Sequence, residues 1–317
     1  MLALQDKCCA KFSVHPEVKH VTMALRHATQ IGVLSYDTPE LQSLPDKDAI
    51  LVMSFGTTIT ETRRITIERT VEEIQRNHPG VKVVLAFTSN IVVERIEEKE
   101  GIHYPMPEEA LRDLRSEGYT RVAMTTLDLF PGIEYTYDTS VFHLYKAQFK
   151  RSTMGTPLIY WMGQNGRRDD AMDFVKAVET QFPERTPQTA VLLMAHGSPH
   201  PSNAFYDTIQ SRLMQQGFRN VFVYTMEGRP NLTDVIPYLK RAGVKKVTLM
   251  PLMMVAGTHV KKDMLAENPK SHKFQLEAAG FEVEAYLKGL GENDAVRKMY
   301  VERADEAYEY LKDKNKD

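Results

Sequence analysis

The chain has 317 residues, 42% of them hydrophobic and 26% charged. That is enough for one large or two medium domains with full cores. A formal net charge of −2, from 40 basic and 42 acidic residues, excludes the basic balance of a nucleic-acid binder and of a protein held on a membrane by bulk charge. The two cysteines, Cys8 and Cys9, are adjacent, which excludes a disulfide framework.

No window approaches the roughly 18 apolar residues of a membrane span, and the opening "MLALQDKCCAKFSVHPEVKH" lacks the apolar core of a secretory signal. A cytoplasmic protein is expected, with a periplasmic form whose signal has been removed as the alternative. Residues 1–47 read as a mostly helical lead-in, "PEVKHVTMALRHATQI", followed by a turn-rich link.

From there strands and helices alternate. "AILVMSFGT" (49–57) is a buried strand ending at Gly56, and "TRRITIERTVEEIQRNHPG" an amphipathic helix stopped by Pro79 and Gly80. "VKVVLAFTS" (81–89) and "RVAMTTLDLF" (121–130) are further strands, with the helix "PEEALRDLRSEG" between them. The order then recurs: strand "TAVLLMAHGS" (189–198), helix "NAFYDTIQSRLMQQG", strand "NVFVYTMEG" (220–228), helix "LTDVIPYLKRAG", and strands "KKVTLMPLMMVAG" (245–257) and "FEVEAYLKGLG". Such alternation predicts an α/β fold with parallel sheets. "AILVMSFGT" matches "AVLLMAHGS", with Phe55-Gly56 against His196-Gly197. The expected organisation is therefore a lead-in (1–47), an α/β domain (48–184) and a second, similar α/β domain (185–317). Each is a mainly parallel sheet flanked by helices, and the two face each other across a cleft.

Open parallel sheets bind ligands beyond the carboxyl ends of their strands. His196, Glu227 and His259 all fall at that edge of the second half. Two imidazoles and a carboxylate from three strand ends suit a divalent transition metal. The same trio can instead move protons. In the first half, "LDLFPGIEYTYD" sets Asp128, Glu134, Tyr135 and Asp138 in a polar loop across the cleft. Tyr104, Phe130, Tyr135, Tyr137, Trp161 and Met254 offer apolar surface, and Arg63, Arg64, Arg229, Lys261 and Lys262 are candidate rim cations. There is no GxxxxGK[ST] phosphate loop and no GxGxxG fingerprint, so no nucleotide is expected.

The segments "SFGTT", "LFPGIEY", "MAHGSPH", "MEGRP" and "VAGTHVKKDM", in this order and spacing, resemble the class II tetrapyrrole chelatases, most closely the anaerobic sirohydrochlorin cobaltochelatases of CbiK type. The resemblance spans about residues 48–290. It implies two α/β domains and ATP-independent insertion of a divalent metal, Co²⁺ first with Fe²⁺ and Ni²⁺ as alternatives, into a sirohydrochlorin-type tetrapyrrole of cobalamin or sirohaem biosynthesis. Carried over, His196, Glu227 and His259 resemble the family's metal-handling residues, and Glu134 its acidic residue across the cleft. His196, His259 and Glu134 are then the expected catalytic groups, and a homo-oligomer stays open. The chain departs from the family pattern at Asp128, where a histidine is common, at Thr258, where an aspartate is common, and at Lys262 in place of asparagine. Those departures also fit a carrier of haem, tetrapyrrole or metal in the same cleft, or a metal-removing relative.

Overall fold

A computed structural model describes residues 2–4, 12–14, 17–184, 186–257 and 260–313. Cys8, Cys9, Thr258 and His259 lie outside the described residues. A short antiparallel pair, β1 (Leu2–Leu4) and β2 (Phe12–Val14), precedes helix α1 (Met23–Ala28). The lead-in then contributes a strand that its composition did not suggest, β3 (Leu34–Asp37).

The first half contains β4 (Asp48–Ser54), a helix in three parts, β5 (Lys82–Phe87), α4 (Asn90–Glu100), α5 (Pro107–Ser116), β6 (Arg121–Thr126), α6 (Ile133–Tyr145) and β7 (Arg151–Met154). The divided helix runs as α2 (Thr60–Arg63), a π-helical turn at Arg64–Glu68, and α3 (Arg69–Asn77). Five strands pair in the order β3-β7-β6-β4-β5, parallel except for β3, which lies antiparallel on β7. Ala49 to Met53 of β4 are all fully buried, as expected of a central strand covered on both faces. The bulkier of these contribute roughly 1.5–3 kcal/mol each to the core.

After α7 (Asp170–Glu179) come β8 (Thr189–Ala195), α8 (Ala204–Gln215), β9 (Val221–Thr225), α9 (Leu232–Arg241), β10 (Lys246–Pro251), α10 (His272–Ala278) and β11 (Glu282–Ala285). The four strands form an all-parallel sheet ordered β11-β10-β8-β9. The last helix, α11 (Asp294–Lys312), comes from the end of the chain but packs on the first sheet. The Arg151 guanidinium donates to the Tyr310 carbonyl at 2.8 Å and the Thr153 hydroxyl to Ala307 at 2.8 Å. One apolar core runs through both halves, from Ile50 and Val52 to Val191 and Leu193.

One expectation fails here. The segment expected as a polar loop, "GIEYTYD", opens α6. Its buried positions are Tyr135, Asp138, Val141 and Phe142, a helical stripe with a carboxylate among its members.

Candidate functional site

Beyond the strand ends, between the two halves, lies a cavity of about 580 Å³. Phe55 to Thr58, Leu127 to Phe130, Glu134 and Arg95 line one wall; His196 to Ser198, Ser202, Tyr206 and Leu252 to Val255 line the other; Tyr300 of α11 joins them. Phe130 closes one side of the gap by stacking on Phe205 at 5.2 Å and standing edge-on to Tyr206 at 5.0 Å.

The matched strands β4 and β8 both leave the sheet through a glycine with φ of +87°, Gly56 and Gly197. At Gly197 a side chain fits only if the facing turn moves: a Cβ would lie 1.8 Å from the Glu227 carbonyl oxygen. That close approach brings the turns after β8 and β9 together. The Glu227 backbone N–H donates to the His196 carbonyl at 2.8 Å. Asn203 fastens the pair of turns, accepting from the Ser198 N–H at 3.1 Å and donating to the Arg229 carbonyl at 2.9 Å.

His196 is half-buried, and its Nδ1 lies 3.0 Å from the Gly197 carbonyl. A carbonyl only accepts, so Nδ1 is the donor in this contact, and Nε2 is the ring's other nitrogen. Glu227 is exposed and adjoins His196 through the backbone without lining the cavity. The residues flanking the Thr258-His259 pair are placed: Gly257 lines the cavity and Val260 is buried.

Glu134, in the first turn of α6, enters from the opposite wall. Around Gly132 the halves nearly touch, since a Cβ there would lie 3.3 Å from Glu134 Oε2 and 3.4 Å from Ser202 Oγ. Asp128, just past β6, lines the cavity, with its Oδ2 sealed from solvent. Burial, followed by the charges of Asp138 and Glu134, holds the Asp128 carboxyl well above the usual range. Burial likewise raises Asp138 to about 7.

The expected cations and aromatics are partly elsewhere. Arg63 is buried in ion pairs with Glu100 and Glu68, Arg64 pairs with Glu61 at 2.8 Å, and Arg229 pairs with Asp234. Lys262 is exposed, and the Lys261 side chain lies outside the description. Among the described residues Arg95 is the one Lys or Arg that lines the cavity; on α4, in a run of charges, it carried no signal of its own. Phe130 and Met254 do line it, as does Phe55, 54% exposed and not anticipated. Tyr104 instead stacks on Phe87 at 4.5 Å, the Tyr137 hydroxyl donates to Glu108 at 2.7 Å, the Tyr135 hydroxyl donates to the Gly155 carbonyl at 3.0 Å, and Trp161 is core.

The family model for the cobalt chelatase CbiK matches residues 48–309. The chain belongs to the CbiK family of cobalt chelatases. It is therefore, by family, a metal chelatase, a lyase. The sirohydrochlorin cobaltochelatase of Salmonella typhimurium is 32% identical over 255 residues, covering 80% of this chain and 94% of that relative. The sirohydrochlorin cobaltochelatase CbiKC of Nitratidesulfovibrio vulgaris is 31% identical over 276 residues, covering 86% of this chain and 95% of its own length. SirB from Bacillus subtilis, solved with Fe³⁺, has the same fold: TM-score 0.56 at 17% identity, over 82% of this chain and 95% of SirB. No helix among the described residues is long and apolar enough to cross a membrane.

Proposed function

We propose that this chelatase inserts a divalent metal, Co²⁺ in the first place, into a sirohydrochlorin-type tetrapyrrole without a nucleotide. The observation that carries the reading is one cavity with an imidazole on one wall and a carboxylate on the other, in a chain of this family. Insertion replaces two pyrrole protons by one dication, so the site must offer both a metal ligand and a base. His196, through Nε2, takes the metal together with Glu227 and His259. Glu227, being exposed, meets the ion first. Glu134 receives ring protons, and Arg95 pairs with a carboxylate of the macrocycle, whose apolar face rests on Phe55 and Met254.

The 48–184 and 185–317 domains supply the two walls, while α11 returns to brace the first. Neither a phosphate-binding loop nor a dinucleotide fingerprint occurs in the sequence, which supports a reaction driven by metal–nitrogen bond formation alone. The test is anaerobic incubation with sirohydrochlorin and Co²⁺, Fe²⁺ or Ni²⁺ in turn, nucleotide-free, followed by absorbance. Turnover past one equivalent, fastest with Co²⁺, is expected. A spectral change that stops at one equivalent would make the protein a carrier.

A further inference from the structure

Three carboxylates of the first half run from the cavity into the protein. Glu134 is exposed at the wall; Asp138, one helical turn further along α6, is 1% exposed; Asp128, just past β6, lines the same cavity as Glu134, and the charges of Asp138 and Glu134 both act on its carboxyl. Positions four apart on a helix share a face, with Cβ atoms about 5–6 Å apart. Asp128 Oδ2 and Asp138 Oδ1 are both sealed from solvent and have no hydrogen-bond donor.

The groups acting on Asp128 are the carboxylates of Asp138 and Glu134 and the Thr126 hydroxyl; those on Asp138 are Thr126, Asp128 and Glu134. None is a cation. Two buried carboxylates that act on each other disfavour each other's ionisation. An independent feature points to the same spot: Tyr300, 1% exposed and lining the cavity, has an Oη that is sealed and unpartnered, and its phenol, kept protonated chiefly by burial, also feels the charge of Asp128.

We propose that Asp128 and Asp138 form a one-proton carboxyl pair that stores a proton released by metal insertion, behind Glu134 as the first acceptor. The proposal rests on tetrapyrrole metallation being the reaction. Insertion breaks two pyrrole N–H bonds. The Glu134 carboxylate takes the first proton and passes it, directly or through one water, to the Asp138 carboxylate. The pair then holds two protons and Glu134 is an anion again. The second N–H proton forms a new O–H bond on Glu134. Two protons have left the ring, one dication has replaced them, and both protons reach water through exposed Glu134 before the next turnover. Asp138 thus acts through Glu134 and does not touch the ring.

The sign of the pH dependence follows. As pH falls through about 7, Asp138 fills with a solvent proton, the store is occupied, and kcat drops. Asp138→Asn and Asp128→Asn are each expected to lower kcat about tenfold, less than the loss of a direct acid–base group, to leave KM unchanged, and to erase the step near pH 7 (Asp138→Asn) or move it upward (Asp128→Asn). A folded variant that keeps the step in place overturns the proposal, because the step then belongs to an imidazole. Should both variants fail to fold, infrared spectra of the wild-type apoprotein decide. A protonated-carboxyl C=O stretch is expected to persist at about pH 8, where ordinary carboxyls with pKa near 4 are ionised, and to grow on acidification. Its absence at about pH 8 overturns the proposal. A wild type that metallates no tetrapyrrole refutes the functional reading instead, while leaving this infrared titration intact.

Discussion

Phe55 and His196 occupy the same point of two matching strands, each followed by a glycine with φ of +87°. The backbone solution is shared; the chemistry is not. The first half presents an aromatic face, a cation and three carboxylates to the cavity and the core behind it. The second presents an imidazole, with an exposed carboxylate bonded to it through the backbone. A repeated α/β unit places two strand ends opposite each other, and on the proposed function divergence at equivalent positions gives one wall the protons and the other the metal.

The comparison breaks most sharply at Glu134. Glu134→Gln is expected to lower kcat by about 10²–10⁴-fold, the usual cost of losing a positioned acid–base group, with KM little changed because the interaction is made during proton transfer. Steady-state kinetics under anaerobic conditions check this, and wild-type turnover would return Glu134 to an ordinary surface residue. On the opposite wall, His196→Ala is expected to cost about 10²-fold in kcat/KM for the metal, measured by varying Co²⁺ at saturating tetrapyrrole.

Arg95→Ala sharpens the substrate side. A charged hydrogen bond is worth about 1.5–3 kcal/mol, so KM for the tetrapyrrole should rise roughly tenfold or more, with kcat nearly constant and Arg95→Lys partly restoring it. A stability comparison, with no direct effect on the chemistry, separates the two glycines. Gly56→Ala forces a side chain into a left-handed backbone and meets the Phe87 ring at 2.9 Å, costing about 1–3 kcal/mol. Gly197→Ala is expected to cost more, because the obstacle is the Glu227 carbonyl at 1.8 Å and only movement of that turn relieves it. Thermal melts of the two variants side by side test the difference.

Strand cores were legible because buried parallel strands are continuous apolar runs: β5, β6, β8, β9 and β10 each lie within a stretch that the sequence marked, and β4 does but for Asp48. The α6 helix was not, because Asp138 interrupts the apolar stripe formed by Tyr135, Val141 and Phe142. The feature that hid the helix is the one that builds the carboxyl pair. β7 escaped notice because "RSTM" is polar, its side chains being buried by contacts with α11 from the far end of the chain. His196 was visible from a strand core ending in His-Gly, whereas Arg95 and Phe55 needed the cavity to be recognised.

The division of labour between the walls is tested most directly by calorimetric titration of Co²⁺ into the apoprotein, with no tetrapyrrole present, for wild type, His196→Ala and Glu134→Gln. The account predicts that His196→Ala loses most of its Co²⁺ affinity while Glu134→Gln binds as wild type does. Loss of affinity in Glu134→Gln with retention in His196→Ala would contradict it.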